Sequence, residues 1–214
     1  MAREVAQYAA GLNKPPSRLY VTHYHPDHLL GAAAFDAPLF ALASVADKIG
    51  AAGDRVAREE HDKVGDDIPV TARQPDLRVA EGEETVDGVQ IKFHRLQNAE
   101  TEDALVIAFP EAGAIIAQDL VYNRAHAFLG ERDFDGWRAA LRQYRDLPYG
   151  RVMPGHGVPG GKALYDEMIG YLDFAEDALK ASAGARDFRQ RMLDRFPGHG
   201  CHKVLDHELR FLFH

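Results

Sequence analysis

Residues 22–28, Thr-His-Tyr-His-Pro-Asp-His, hold three histidines and one aspartate in seven positions, directly behind the apolar run Leu19, Tyr20, Val21. No other stretch restricts the fold as much. An extended segment points alternate side chains to the same side, so His23 and His25 project two imidazoles together at a strand end. Pro26 then bends the chain, and Asp27 and His28 follow at once. Imidazole and carboxylate are the ligands that suit zinc, iron or manganese. The cluster can feed two ions, one from the His23/His25 pair and the other from Asp27/His28.

Length and composition narrow the classes. The chain has 214 residues, enough for a domain with a real core. Its eleven histidines are a high count and fit metal chemistry. The formal charge is −8 and no basic tract occurs, so the footprint expected for nucleic acid is absent. No apolar run is long enough to span a bilayer. Cys201 is the single cysteine, which excludes an intrachain disulfide and leaves the compartment open. The partner expected is a small-molecule substrate; the apolar stripes of the C-terminal helices read either as core or as contact with a second copy of the chain. The cytoplasm is the default location, with a leader peptide upstream as the alternative.

Local patterns give an alternation of helices and strands, hence an α/β layered fold. Val5, Tyr8, Ala9 and Leu12 predict a first helix with one apolar face, stopped at Gly11 or Asn13. A short strand leads into the histidine cluster. Residues 29–35 read as a small-residue helical turn, and 38–50 as a strand entering a helix. Asp87-Gly88 marks a hairpin turn. Residues 103–110 and 114–119 form a second hairpin of buried strands. Trp137, Leu141 and Tyr144 share one face of a helix over 134–147, with an acidic start at Asp133 or Asp135. Residues 151–157 read as a strand and a Gly/Pro loop. Three further helices follow, the first carrying Leu164, Met168, Leu172, Ala175 and Leu179 on one stripe. A division into residues 1–158 and a helical extension over 159–214 is expected.

The motif over residues 22–32 resembles the His-x-His-x-Asp-His signature of the metallo-β-lactamase superfamily. Two later landmarks fall in order: a strand ending at Asp119 resembles the one that carries that family's metal-bridging aspartate, and the loop at His156 resembles the one carrying its last histidine. The resemblance runs from about Ser17 to Gly157. It implies an αββα four-layer sandwich, here short of its first strands and extended by C-terminal helices. It also implies two divalent metal ions, zinc first and iron or manganese as alternatives. Where the family has a further histidine, this chain has Glu100, as in the alkylsulfatase-like branch; Glu102 and Asp103 are the alternatives. The implied ligands are His23, His25 and Glu100 for one metal, and Asp27, His28 and His156 for the other, with Asp119 between them. The family's glycine before the bridging aspartate is replaced by Gln118.

Two divalent ions, three carboxylates and one hydroxide together carry no net charge. Paired cations lower the pKa of a shared water toward neutrality and give a nucleophile. The expected activity is therefore hydrolysis of an ester-like bond (ester, thioester, lactone or sulfate ester), with Asp27 and Asp119 as the catalytic carboxylates. Glu100 in place of histidine makes its site harder and less Lewis-acidic, which moves the preference from zinc toward iron or manganese without displacing zinc as the first expectation. The alternatives are a di-iron redox protein of the flavodiiron type and a non-catalytic metal-binding protein. Tyr24 and His126 are candidates to line the substrate cleft. His94 reads as a packed strand residue. His199, His202 and His207, near Cys201, read as ordinary C-terminal histidines, and His61 and His214 as solvated.

Overall fold

A computed structural model describes residues 2–12 and 15–213, so the predicted stop at Asn13 and the solvated His214 lie outside the described residues. The chain divides into two units. One runs to Glu81 and takes in Asp103–Leu105; the other comprises Gly82–Glu102 and the chain from Val106 on. Two sheets and a set of C-terminal helices make up the architecture, the α/β class expected from the sequence.

The first unit is built on an all-parallel sheet of β1 (Leu19–Tyr20), β2 (Leu39–Leu42) and β3 (Leu77–Val79), in that order. Parallel strands are covered on both faces and read as unbroken apolar runs, which is the pattern of Leu39–Leu42. The crossover from β1 to β2 uses α2 (Pro26–Leu29) and a 3-10 turn over Leu30–Ala34; α3 (Ala43–Val64) links β2 to β3. α3 buries Val45, Ala46, Ile49, Val56 and Ala57 on one stripe. At Gly53 a Cβ would lie 2.9 Å from that of Ala72, so the backbone approach requires glycine. Arg73 clamps the segment before β2, donating to the carbonyls of Phe35 and Ala37 at 2.7 Å each and to Asp76 at 2.9 Å. Asp76 accepts the Leu39 N–H at 2.8 Å, and that bond, with Arg73 beside it, holds its carboxyl below the usual range. The first helix, α1 (Ala2–Gly11), forms as its pattern predicts but buries none of its residues. Val5 and Tyr8 are 52% and 70% exposed, so its apolar face is a feature of the sequence that packing leaves largely uncovered.

The second unit centres on β4 (Gly82–Val86), β5 (Val89–Gln97), β6 (Asp103–Phe109), β7 (Ala114–Tyr122) and β8 (Arg151–His156), adjacent in that order. Asp87 and Gly88 both take positive φ, 51° and 81°, the two-residue turn whose twist matches an antiparallel pair. β6 and β7 pair antiparallel, and β8 lies parallel to β7 after a crossover through α4 (Phe134–Arg145). Asp133 caps α4 by accepting the Gly136 N–H at 2.9 Å. Trp137 is buried and donates its indole N–H to the Leu120 carbonyl at 2.9 Å, fixing α4 against β7. α5 (Ala163–Ala181) is tied to α4 by Arg138, which donates to Asp173 at 2.6 Å and to Glu176. α6 (Ala185–Arg195) and α7 (His202–Leu212) complete the unit. α7 buries Glu208, whose side chain accepts the Leu129 N–H at 2.7 Å. Among the described residues no helix is long and apolar enough to cross a membrane.

Candidate metal centre

The first donor set grows out of the end of β1. Val21 is buried and donates its N–H to the Phe40 carbonyl at 2.9 Å; the Thr22 carbonyl accepts from Leu105 at 2.7 Å. The strand direction therefore persists up to His23. His25 is the extended residue before α2, and Pro26 at the first helical position suits that start. The His25 carbonyl accepts from His28 at 3.0 Å and Leu29 at 3.1 Å, which turns the chain back on itself. Leu29 and Leu30 are buried and anchor the turn. The outcome is a group of three imidazoles. His23 is fully buried; its ring centroid lies 4.8 Å from that of His25 and 4.1 Å from that of His28. The Thr22 hydroxyl sits 3.0 Å from His23 Nδ1 and fixes that ring. Asp27 projects from the first turn of α2, with Oδ2 3.4 Å from His28 Nε2.

The second donor set belongs to the second unit. Glu100 stands in the loop between β5 and β6, and Asp119 in β7; they are 2% and 1% exposed. They offer carboxylate oxygens within 4.8 Å of each other. The acids that follow Glu100 in sequence have other fates: Glu102 is exposed, and Asp103 accepts the Ser44 hydroxyl. Tyr122 organises the pair. Its hydroxyl lies 2.6 Å from Asp119 Oδ2 and 3.4 Å from Glu100 Oε1. Its ring stacks on His156 at 4.9 Å, with the planes 14° apart. His156 ends β8, opposite Tyr122 in the ladder, with Nε2 3.4 Å from Asp119 Oδ2.

A break in β7 makes this arrangement possible. The ladder to β8 shifts on both sides of Gln118, which takes a left-handed φ of 47°. That conformation strains any residue with a Cβ. The Gln118 side-chain oxygen accepts the N–H of Asp119 and so supports the turn. Across the ladder Gly155 leaves room: a Cβ there would lie 1.7 Å from Asp119 Oδ1. Tyr122 is not among the sequence-based candidates. Its position three residues after Asp119 gives no signal when the strand is read as ending at Asp119, whereas β7 continues to Tyr122.

The remaining candidates fall elsewhere. Tyr24 is half-buried. His126 is fully buried, with Nδ1 3.1 Å from the Tyr171 hydroxyl and its ring 5.6 Å and 5.7 Å from those of His199 and His202. Burial first, then His199, His202 and Arg189, push its pKa down to about 4. His126 is thus a neutral member of the seam that joins the loop after β7 to the C-terminal helices. His94 packs against Tyr144, as expected of a strand residue. His61 is not simply solvated: Nδ1 is 2.8 Å from the Ile68 carbonyl.

The buried carboxylate pair Glu100 and Asp119 suits a cation. Two carboxylates buried side by side repel, and an interior tolerates them when positive charge balances them. A tyrosine hydroxyl orients them and supplies no charge. The superfamily model for metallo-beta-lactamases matches residues 2–156. The chain belongs to that superfamily. Solved relatives share the metallo-β-lactamase fold with it. A metallo-beta-lactamase from Pontibacter korlensis is 18% identical with a TM-score of 0.65, over 79% of this chain and 75% of that one. A metallo-beta-lactamase family protein from Thermus thermophilus is 16% identical with a TM-score of 0.65, over 97% and 77%. The metallo-beta-lactamase FIM-1 from Pseudomonas aeruginosa, in its mono-zinc form, is 19% identical with a TM-score of 0.57, over 79% and 72%. No curated protein matches the chain.

Proposed function

We propose that the protein is a dinuclear metal-dependent hydrolase of ester-like bonds. His23, His25 and Glu100 would hold one metal and Asp27, His28 and His156 the other, with Asp119 serving both. The observation that carries this reading is the buried Glu100–Asp119 pair with His156 at 3.4 Å, a charge arrangement that calls for cations. The donor chemistry, nitrogen and carboxylate oxygen without thiolate, fits zinc, iron or manganese. Zinc leads, since a solved relative is described in a mono-zinc form.

When bound, such ions polarise a carbonyl, sulfate or phosphate oxygen and bring the pKa of water toward neutrality. The protein's own residues do the rest. Asp27, exposed on the first turn of α2, would accept a hydrogen bond from the attacking oxygen nucleophile and orient it. Tyr122 holds Asp119 in one orientation through its 2.6 Å hydrogen bond. The stacked Tyr122 ring keeps His156 in register. Glu100 in place of a histidine supports the alkylsulfatase-like branch and thus sulfate esters among the candidate bonds.

The test is a panel of carboxylic, thio-, lactone and sulfate esters, offered to protein reconstituted with zinc, iron or manganese. Turnover that Glu100→Ala and Asp119→Ala abolish supports the reading. A coupled iron pair that consumes oxygen and turns over none of the panel would refute it.

A further inference from the structure

Beside the histidine turn the first unit contains a cleft of about 990 Å³ that the hydrolytic chemistry does not account for. Leu19 and Val21 of β1, Leu39 of β2, the alanines of the 3-10 turn and Ile68 line it. Asp27 and His28 also contribute to its wall. The volume lies in the range of small-molecule sites, which are mostly apolar with a few polar groups at the reacting end.

We propose that this cleft binds a medium-length aliphatic chain. On the hydrolase reading, on which this identification of the substrate rests, that chain is the acyl group of the ester. Charge decides against an anionic occupant: Glu4, Asp27, Asp66 and Asp67 border the cleft, while Arg3, the one arginine among the described residues that line it, is engaged with the Asp66 carbonyl at 3.4 Å and with Asp67 at 4.0 Å. A neutral tail fits such a rim, with the polar end of the molecule at Asp27 and His28. An added polypeptide strand fits less well, since β1 offers a ladder of two residues. The walls are apolar, with the alanines Ala32, Ala33 and Ala34 beside Tyr20 and Phe35, and accept a flat neutral probe as well as an aliphatic chain.

The probe is N-phenyl-1-naphthylamine, a neutral fluorophore, titrated into the full chain with and without metal and displaced by n-alkanols from butanol to decanol. Saturable binding is expected, with displacement strengthening along the series by up to about fourfold per methylene. Ala33→Trp and Ile68→Trp fill the cleft from two sides and should each erase the preference for long alkanols. Absence of saturable binding, a flat alkanol series, or both variants behaving like the parent would overturn the proposal. A parallel assay compares p-nitrophenyl butyrate and decanoate with metal-loaded protein. Ordered probe binding without turnover of either ester supports the cleft and sinks the hydrolase reading. Turnover indifferent to chain length, with no probe binding, does the reverse.

Discussion

The two donor sets are built in opposite ways. His23, His25, Asp27 and His28 are neighbours in sequence and rest on a two-residue strand and a one-turn helix. Glu100, Asp119 and His156 come from a loop and two strands of a five-stranded sheet, and a single tyrosine links them. Proximity in the first set costs little chain entropy but has little ladder behind it. In the second it depends on the register of β7 against β8, and the sheet then holds it firmly. The first set is therefore the part that metal should order, and the second the part that exists beforehand.

Breaking the second set should have the largest effect. Asp119→Ala removes the carboxylate that Tyr122 and His156 flank, and ester turnover should fall by about a thousandfold or more, with the fold retained by circular dichroism. Turnover within tenfold of the parent would remove Asp119 from the chemistry.

The support of the second set can be read through pH. His126 has a folded pKa of about 4 against about 6.5 in the unfolded chain, so the unfolded state binds more protons between those values. Stability from this group is complete above about pH 6.5 and is lost as pH falls toward 4, by about 3 kcal/mol. Burial holds Glu208 well above its ordinary range, which acts with the opposite sign. Comparing urea unfolding of the parent with His126→Gln cancels that contribution, and the acid-side loss should shrink in the variant. Parallel curves would contradict it.

Tyr122→Phe keeps the stacked ring and deletes the hydroxyl. Metal affinity or turnover should drop by about 10- to 100-fold, the cost typical of losing a group that orients a ligand. A parent-like variant would show that the sheet alone positions Asp119. Smaller still, chelation should raise amide hydrogen exchange at residues 22–30 by about tenfold while leaving 115–122 almost unchanged. Equal changes in both segments would erase the contrast between the sets.

Much of this was legible in the sequence, for identifiable reasons. The first donor set is contiguous, so its residues and their spacing are visible in one line. The Asp87-Gly88 hairpin announces itself because its turn needs two positive φ angles. Glu100 and Asp119 required the family resemblance, since no local pattern marks them. Tyr122 stayed hidden because the strand reads as ending at Asp119, whereas β7 runs on past the register shift at Gln118 to Tyr122. Glu208 stayed hidden because a charged residue on a short helix reads as solvated, whereas here it accepts a backbone N–H in the interior. The exposed face of α1 is the converse, an amphipathic pattern without the burial that usually accompanies it.

The most direct test is the metal count. After reconstitution and exhaustive dialysis, elemental mass spectrometry should find two divalent ions per chain in the parent, and fewer in both His25→Ala and Asp119→Ala, one from each set. A parent that retains no metal, or the same count in all three proteins, would contradict a shared two-cation centre.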